Sequence, residues 1–148
     1  MSSTESEVLS QAFELGFTYT RSTGPVVGRF LTELRDRKVV GNKASDGTVY
    51  VPPMEFDPRT AEEITEFVEV AETGVVKTWS WIAEPQSKHL LQQPFAFALV
   101  QLDGSDVPML HMVDAGSIDK MKTGMKVKVR WAETTRGHVT DINCFEPA

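Results

Sequence analysis

The stretch FAFALVQLDGSDVPMLHMV, residues 95–113, decides the fold class. Phe95 to Leu102 reads as a buried strand, Asp103-Gly104-Ser105-Asp106 has the chemistry of a hairpin turn, and Val107 to Val113 reads as the returning partner. Asp103 and Asp106 are therefore turn residues flanking Gly104, a better account of them than metal ligation together with Asp114.

Outward from this hairpin the pattern stays β. Upstream, Val75 to Ile82 is rich in β-branched and aromatic residues, Gly74 breaks the chain before it, and Thr65 to Val70 partly alternates. A polar loop, Ala83 to Gln93, ends at Pro94. Downstream, Met125 to Trp131 alternates cleanly, and TTRGH turns the chain into Val139 to Phe145. Five or six strands in about 80 residues suit a small Greek-key barrel of the OB type, and a sandwich fits the periodicity nearly as well.

The N-terminal part is helical in pattern. In TGPVVGRFLTELRDRKVVG, residues 23–41, Thr23 or Gly24 can cap a helix and Pro25 suits its first turn. Val26, Val27, Phe30, Leu31 and Leu34 form an apolar stripe, and Arg35, Arg37 and Lys38 gather where the helix dipole favours cations. Val8 to Phe17 is expected to form a second short helix limited by Gly16, and residues 1–7 to fray.

Composition sets the class. The 148 residues, 41% apolar and 24% charged, fit one globular domain or a compact domain with an appendage. A net charge of -6 and a pI near 5.1 work against binding to nucleic acid. No apolar run is long enough to cross a bilayer, and the acidic start MSSTESEVLS does not suit a signal peptide, so a cytoplasmic location away from membranes is expected. One cysteine excludes an internal disulfide.

No self-sufficient active site is visible. His89, His111 and His138 have no metal or acid–base spacing, and Cys144 reads as a small buried hydrophobe. Trp79 and Trp81, at i and i+2, share one face of a strand; they either close the barrel, face a partner, or stack a base or small ligand.

GNKASDGTVYVPPMEFDPRT, residues 41–60, has the punctuation of a metal-binding knuckle but no thiolate. Taken with GVVKTWSW (74–81), PFAFALVQLD (94–103) and GMKVKV (124–129), it resembles the acyl-CoA-associated zinc-ribbon/OB-fold family catalogued as domain of unknown function 35. The resemblance implies a mainly β fold with N-terminal helices (1–40), a degenerate, metal-free rubredoxin-like ribbon (41–64) and an OB-fold Greek-key barrel (65–148). It places Lys43, Asp46, Asp57 and Thr60 at the former cysteine positions. A lysine, two carboxylates and a hydroxyl do not supply the closed thiolate or imidazole tetrahedron of structural zinc, so no zinc is expected. If the knuckle persists, a Lys43 ammonium between Asp46 and Asp57 is the expected replacement for the metal's charge; the alternative is that residues 42–64 form a loose loop.

The resemblance further implies a non-catalytic accessory subunit of a thiolase-like enzyme, a lipid-transfer-type thiolase or an aldolase, in a hetero-oligomer handling acyl-CoA or steroid-CoA thioesters. Phe30, Leu31 and Leu34 would pack internally or on that partner, and Arg29, Arg35 and Arg37 would approach CoA phosphates. The alternative is a free-standing acyl-CoA or small-ligand barrel whose pocket is lined by Trp79, Trp81, Phe95 and Phe97.

Overall fold

The computed structural model describes residues 8–148; the stretch expected to fray, residues 1–7, lies outside them. Helix α1 (Gly24–Arg35) forms where its signals place it, with Pro25 in the first turn and Thr23 at the N-cap position, although the Thr23 side chain makes no capping hydrogen bond. Val26, Phe30 and Leu34, spaced by four, are its buried face. The helix ends in a left-handed turn at Arg37 (φ 58). There the N–H groups of Arg37 and Lys38 donate to the Leu34 and Glu33 carbonyls, both at 2.9 Å, satisfying the last turn.

The second expected helix is absent: residues 8–23 hold no helix or strand. Phe13, Leu15, Phe17 and Tyr19 alternate with period two, which offers a helix no apolar stripe to bury, and Gly16 adds a further penalty.

Three short strands follow the helix: β1 (Val39–Lys43), β2 (Val49–Tyr50) and β3 (Glu66–Val70), in the antiparallel order β2-β1-β3. The β3 segment, assigned by its pattern to the barrel, instead pairs along its whole length with β1, from Val39↔Val70 to Lys43↔Glu66. Alternation marks a strand but does not name its neighbour.

The barrel proper consists of β4 (Thr73–Ile82), β5 (Phe95–Leu102), β6 (Met109–Val113), β7 (Lys126–Trp131) and β8 (Ile142–Pro147). It closes in the order β4-β5-β6-β8-β7, with β7 pairing back onto β4 and a parallel contact between β6 and β8 at Val113↔Phe145. Closure removes the sandwich reading and is the OB arrangement.

The main apolar core joins helix, small sheet and barrel: Phe30 and Leu34 of α1, Val39 and Val40 of β1, and Val51 meet Val76, Val100, Val113, Val127 and Phe145 of the barrel. Among the described residues, no helix is long and apolar enough to cross a membrane.

Candidate functional site: the knuckle and two barrel faces

The knuckle between β1 and β3 is ordered by one arginine. Arg59 Nη2 lies 2.7 Å from Asp46 Oδ2 and 3.2 Å from Asp57 Oδ2. The same nitrogen donates to Thr48 Oγ1 at 3.1 Å, while the backbone N–H of Arg59 and the hydroxyl of Tyr50 donate to Asp57 Oδ1 at 2.9 and 3.3 Å. The Arg59 backbone N–H, and then its guanidinium, hold the Asp57 carboxyl below its ordinary range. For Asp46 the backbone N–H of Thr48 is the leading cause of a shift in the same direction.

The expected cation was Lys43; the structure gives that place to Arg59. Lys43 is exposed and forms no ion pair among the described residues, whereas a planar fork can reach two carboxylates and a hydroxyl at once. Thr60 Oγ1 accepts the Glu62 N–H at 3.3 Å, closing a local turn. Both carboxylates are thus occupied and the other two residues point to different tasks, so this donor set does not fit zinc.

Two further devices hold the knuckle, and neither stands out in the sequence. Asn42, fully buried, donates to the carbonyls of Met54 (2.6 Å) and Ile64 (3.3 Å) and accepts the Met54 N–H (3.1 Å). Asp106, at the tip of the β5–β6 hairpin, accepts the Val49 N–H at 2.8 Å and donates its own N–H to the Val49 carbonyl at 2.9 Å. The turn chemistry of residues 103–106 therefore also seats the knuckle on the barrel.

Arg59→Gln is expected to lower the melting temperature by several degrees. Because the Asp57 pKa is depressed in the folded state, its contribution is present above the ordinary carboxylate pKa and is lost as pH falls through the lower folded value. Thermal melts from pH 7 to 2.5 should show the gap between wild type and R59Q shrinking below about pH 4; a gap that stays constant there would contradict this account of the knuckle.

The arginines of α1 are placed differently from one another. Arg37 Nη2 donates to the Glu133 carbonyl at 3.2 Å, with the Ala132 carbonyl at 3.4 Å, and Thr135 Oγ1 donates to the Arg35 carbonyl at 2.7 Å. Arg37 is therefore a clasp between the helix and the loop after β7, not a free phosphate ligand. Arg29 pairs with Glu33 at 3.1 Å and lies 5.0 Å from the centre of the Phe67 ring. Arg35 is exposed beside Asp36. Phe30 is in the core, and Leu31 packs against it half-buried.

Register separates the four aromatics expected to share a pocket. Trp79 and Trp81 stand opposite Ala98 and Ala96, whose small side chains leave room for the indoles against the core. Phe97 and Phe95 stand opposite Ser80 and Ile82, on the other face of the same sheet. The pocket shared by Trp79, Trp81, Phe95 and Phe97 therefore does not form.

On that outer face Phe95 is buried with Leu91 and Cys144, and His89 stacks edge-on against Phe95 and Phe97 at 5.3 and 5.7 Å. Next to this covered patch, Phe97, Leu99, Leu110 and Met112 with Val139 leave an apolar surface open; Leu110 is 64% exposed.

Three further titratable groups, Cys144, His111 and Asp141, serve the fold. Burial pushes the Cys144 thiol up to about 11, so it is protonated at neutral pH. Burial likewise pushes the His111 pKa down, and its Nδ1 accepts the Met112 N–H at 2.9 Å. Asp141 accepts the N–H groups of Arg136, Gly137 and His138 at 2.7–3.1 Å, shaping the loop that clasps α1.

Residues 67–132 match the family described as the C-terminal OB-fold domain of ChsH2. A DUF35 domain-containing scaffold protein of Pyrococcus furiosus is 26% identical over 104 residues, covering 70% of this chain and 76% of its own. Two solved structures share the fold. A DUF35-family protein of unknown function from Sulfolobus solfataricus aligns with a TM-score of 0.59 at 23% identity, over 77% of this chain and 80% of its own. A chain of an Ltp2-ChsH2(DUF35) aldolase aligns with a TM-score of 0.64 at 21% identity, over 86% and 98%.

Proposed function

From the premise that this chain is a member of the DUF35 family, we propose that it is a non-catalytic accessory subunit. It binds and supports a thiolase-like enzyme, a lipid-transfer-type thiolase or an aldolase, acting on acyl-CoA or steroid-CoA thioesters. The observation that carries the reading is the apolar outer face formed by Phe97, Leu99, Leu110 and Met112, left open on an otherwise well-packed barrel. The relatives described as a scaffold protein and as part of an aldolase complex support the same assignment. The thioester is handled together with the partner, and the knuckle works without zinc.

Size-exclusion chromatography with light scattering tests this, using the chain alone and mixed with a thiolase-like chain of the same organism. A stoichiometric complex is expected. Absence of a complex, together with saturable binding of an acyl-CoA by the isolated chain, would favour a free-standing ligand-binding barrel instead. Two features speak against that alternative: its aromatics lie on opposite faces of the sheet, and a surface depression of about 550 Å³ beside the knuckle carries three carboxylates, Asp46, Glu63 and Glu66, against one cation, Lys43, a balance that disfavours phosphates.

A further inference from the structure

The most exposed apolar side chains of the described residues are not on the barrel. Val8, Leu9, Phe13, Leu15, Phe17 and Tyr19 are 68–87% exposed, and no backbone–backbone hydrogen bond among the described residues involves residues 8–22. Within Phe13–Tyr19 the order is Phe-Glu-Leu-Gly-Phe-Thr-Tyr, large apolar residues alternating with polar or small ones. That is the pattern of a strand with one face to bury, written into a segment with no strand beside it. The arm leaves the body at the cap of α1, where Gly24 takes a φ of 72°.

We infer that Phe13–Tyr19 is a docking strand, which pairs along an open sheet edge of the partner subunit and buries Phe13, Leu15, Phe17 and Tyr19 in an apolar groove beside that edge. This rests on the accessory-subunit reading and adds a second contact element to the outer barrel face. Main-chain bonds to the edge would supply affinity, and the alternate side chains specificity. Three aromatics and a leucine bury on the order of 600 Å², most of the roughly 800 Å² that each side of a standard interface contributes.

A second copy of this chain is a poor host for the arm. Its barrel is closed and has no edge. The three-stranded sheet ends in a two-residue strand, β2, and a five-residue strand, β3, shorter than the seven-residue arm and exposing Glu66 and Glu69 to repel Glu14. The host is therefore a different protein with a longer free edge.

The test compares the full chain with a Phe13→Ser/Phe17→Ser variant, each titrated against a thiolase-like subunit of the same organism, with hydrogen exchange read on residues 13–19. The isolated variant should melt like wild type, because these side chains touch no core. Its affinity should fall at least about tenfold, and the arm amides of wild type should gain protection only in the complex. A wild-type complex that the variant forms equally well would overturn the arm and leave the accessory reading standing. Failure of wild type to bind that subunit would overturn both. Self-association of the isolated chain that the double substitution disperses would overturn the choice of a foreign host.

Discussion

Gly74→Ala is expected to destabilise the barrel by roughly 3 kcal/mol or more, at the upper end of what overpacking costs. A Cβ at this position would run into the backbone carbonyl of Gln101 and the Cα of Leu102. Neither obstacle is a side chain that can rotate away. Relief requires β4 and β5 to part at Gly74↔Leu102, and the same residue pairs with Val127 of β7, so the strain falls on the strand that closes the barrel. Urea unfolding followed by far-ultraviolet circular dichroism measures it. A loss below about 1 kcal/mol, the ordinary spread of point substitutions, would show that the strands yield more easily than this register implies. The glycine opening the GVV stretch is thus there for close approach of two chains, not for a turn.

Phe145→Ala is expected to cost about 3–5 kcal/mol. Phe145 is fully buried, stands opposite Val113 in the parallel pairing and Val129 in the antiparallel one, and meets His111 edge-on at 5.6 Å. Its ring fills the interior where β6, β8 and β7 meet, the junction that turns a curved sheet into a barrel. For a chain of this length such a loss lowers the melting temperature by about 10 °C. Phe145→Leu, which keeps most of the volume, should cost less than about 1.5 kcal/mol. A melt of the alanine variant within about 2 °C of wild type would mean that the junction is held by backbone pairing without the ring.

The helix and the barrel strands were legible because each is announced by its own residues. Val26, Phe30 and Leu34 repeat at helical spacing, and Phe95–Leu102 reads as a strand between Pro94 and the Asp103–Asp106 turn. The small inner side chains Ala96 and Ala98 leave space opposite Trp79 and Trp81, but that these residues stand opposite one another is a matter of register, which the sequence does not state. Choosing between Lys43 and Arg59 was beyond the sequence. The two are sixteen positions apart, and the choice depends on how the Asp57–Arg59 turn folds back onto Asp46 and Thr48. The partners of Arg37 were likewise beyond it, because the carbonyls that bind it are 95 and 96 residues away.

By itself, then, the sequence determined a capped helix, a set of strands and a knuckle without thiolates, since backbone propensity and side-chain period act over a few neighbouring residues. Only the tertiary structure decided that β3 joins β1, that Arg59 bridges the two carboxylates, that the tryptophans and phenylalanines part across the sheet, and that the alternating arm finds no strand of its own. Those outcomes depend on register and on contacts between residues far apart in the chain, and a one-residue shift in pairing would have reversed which side chains meet.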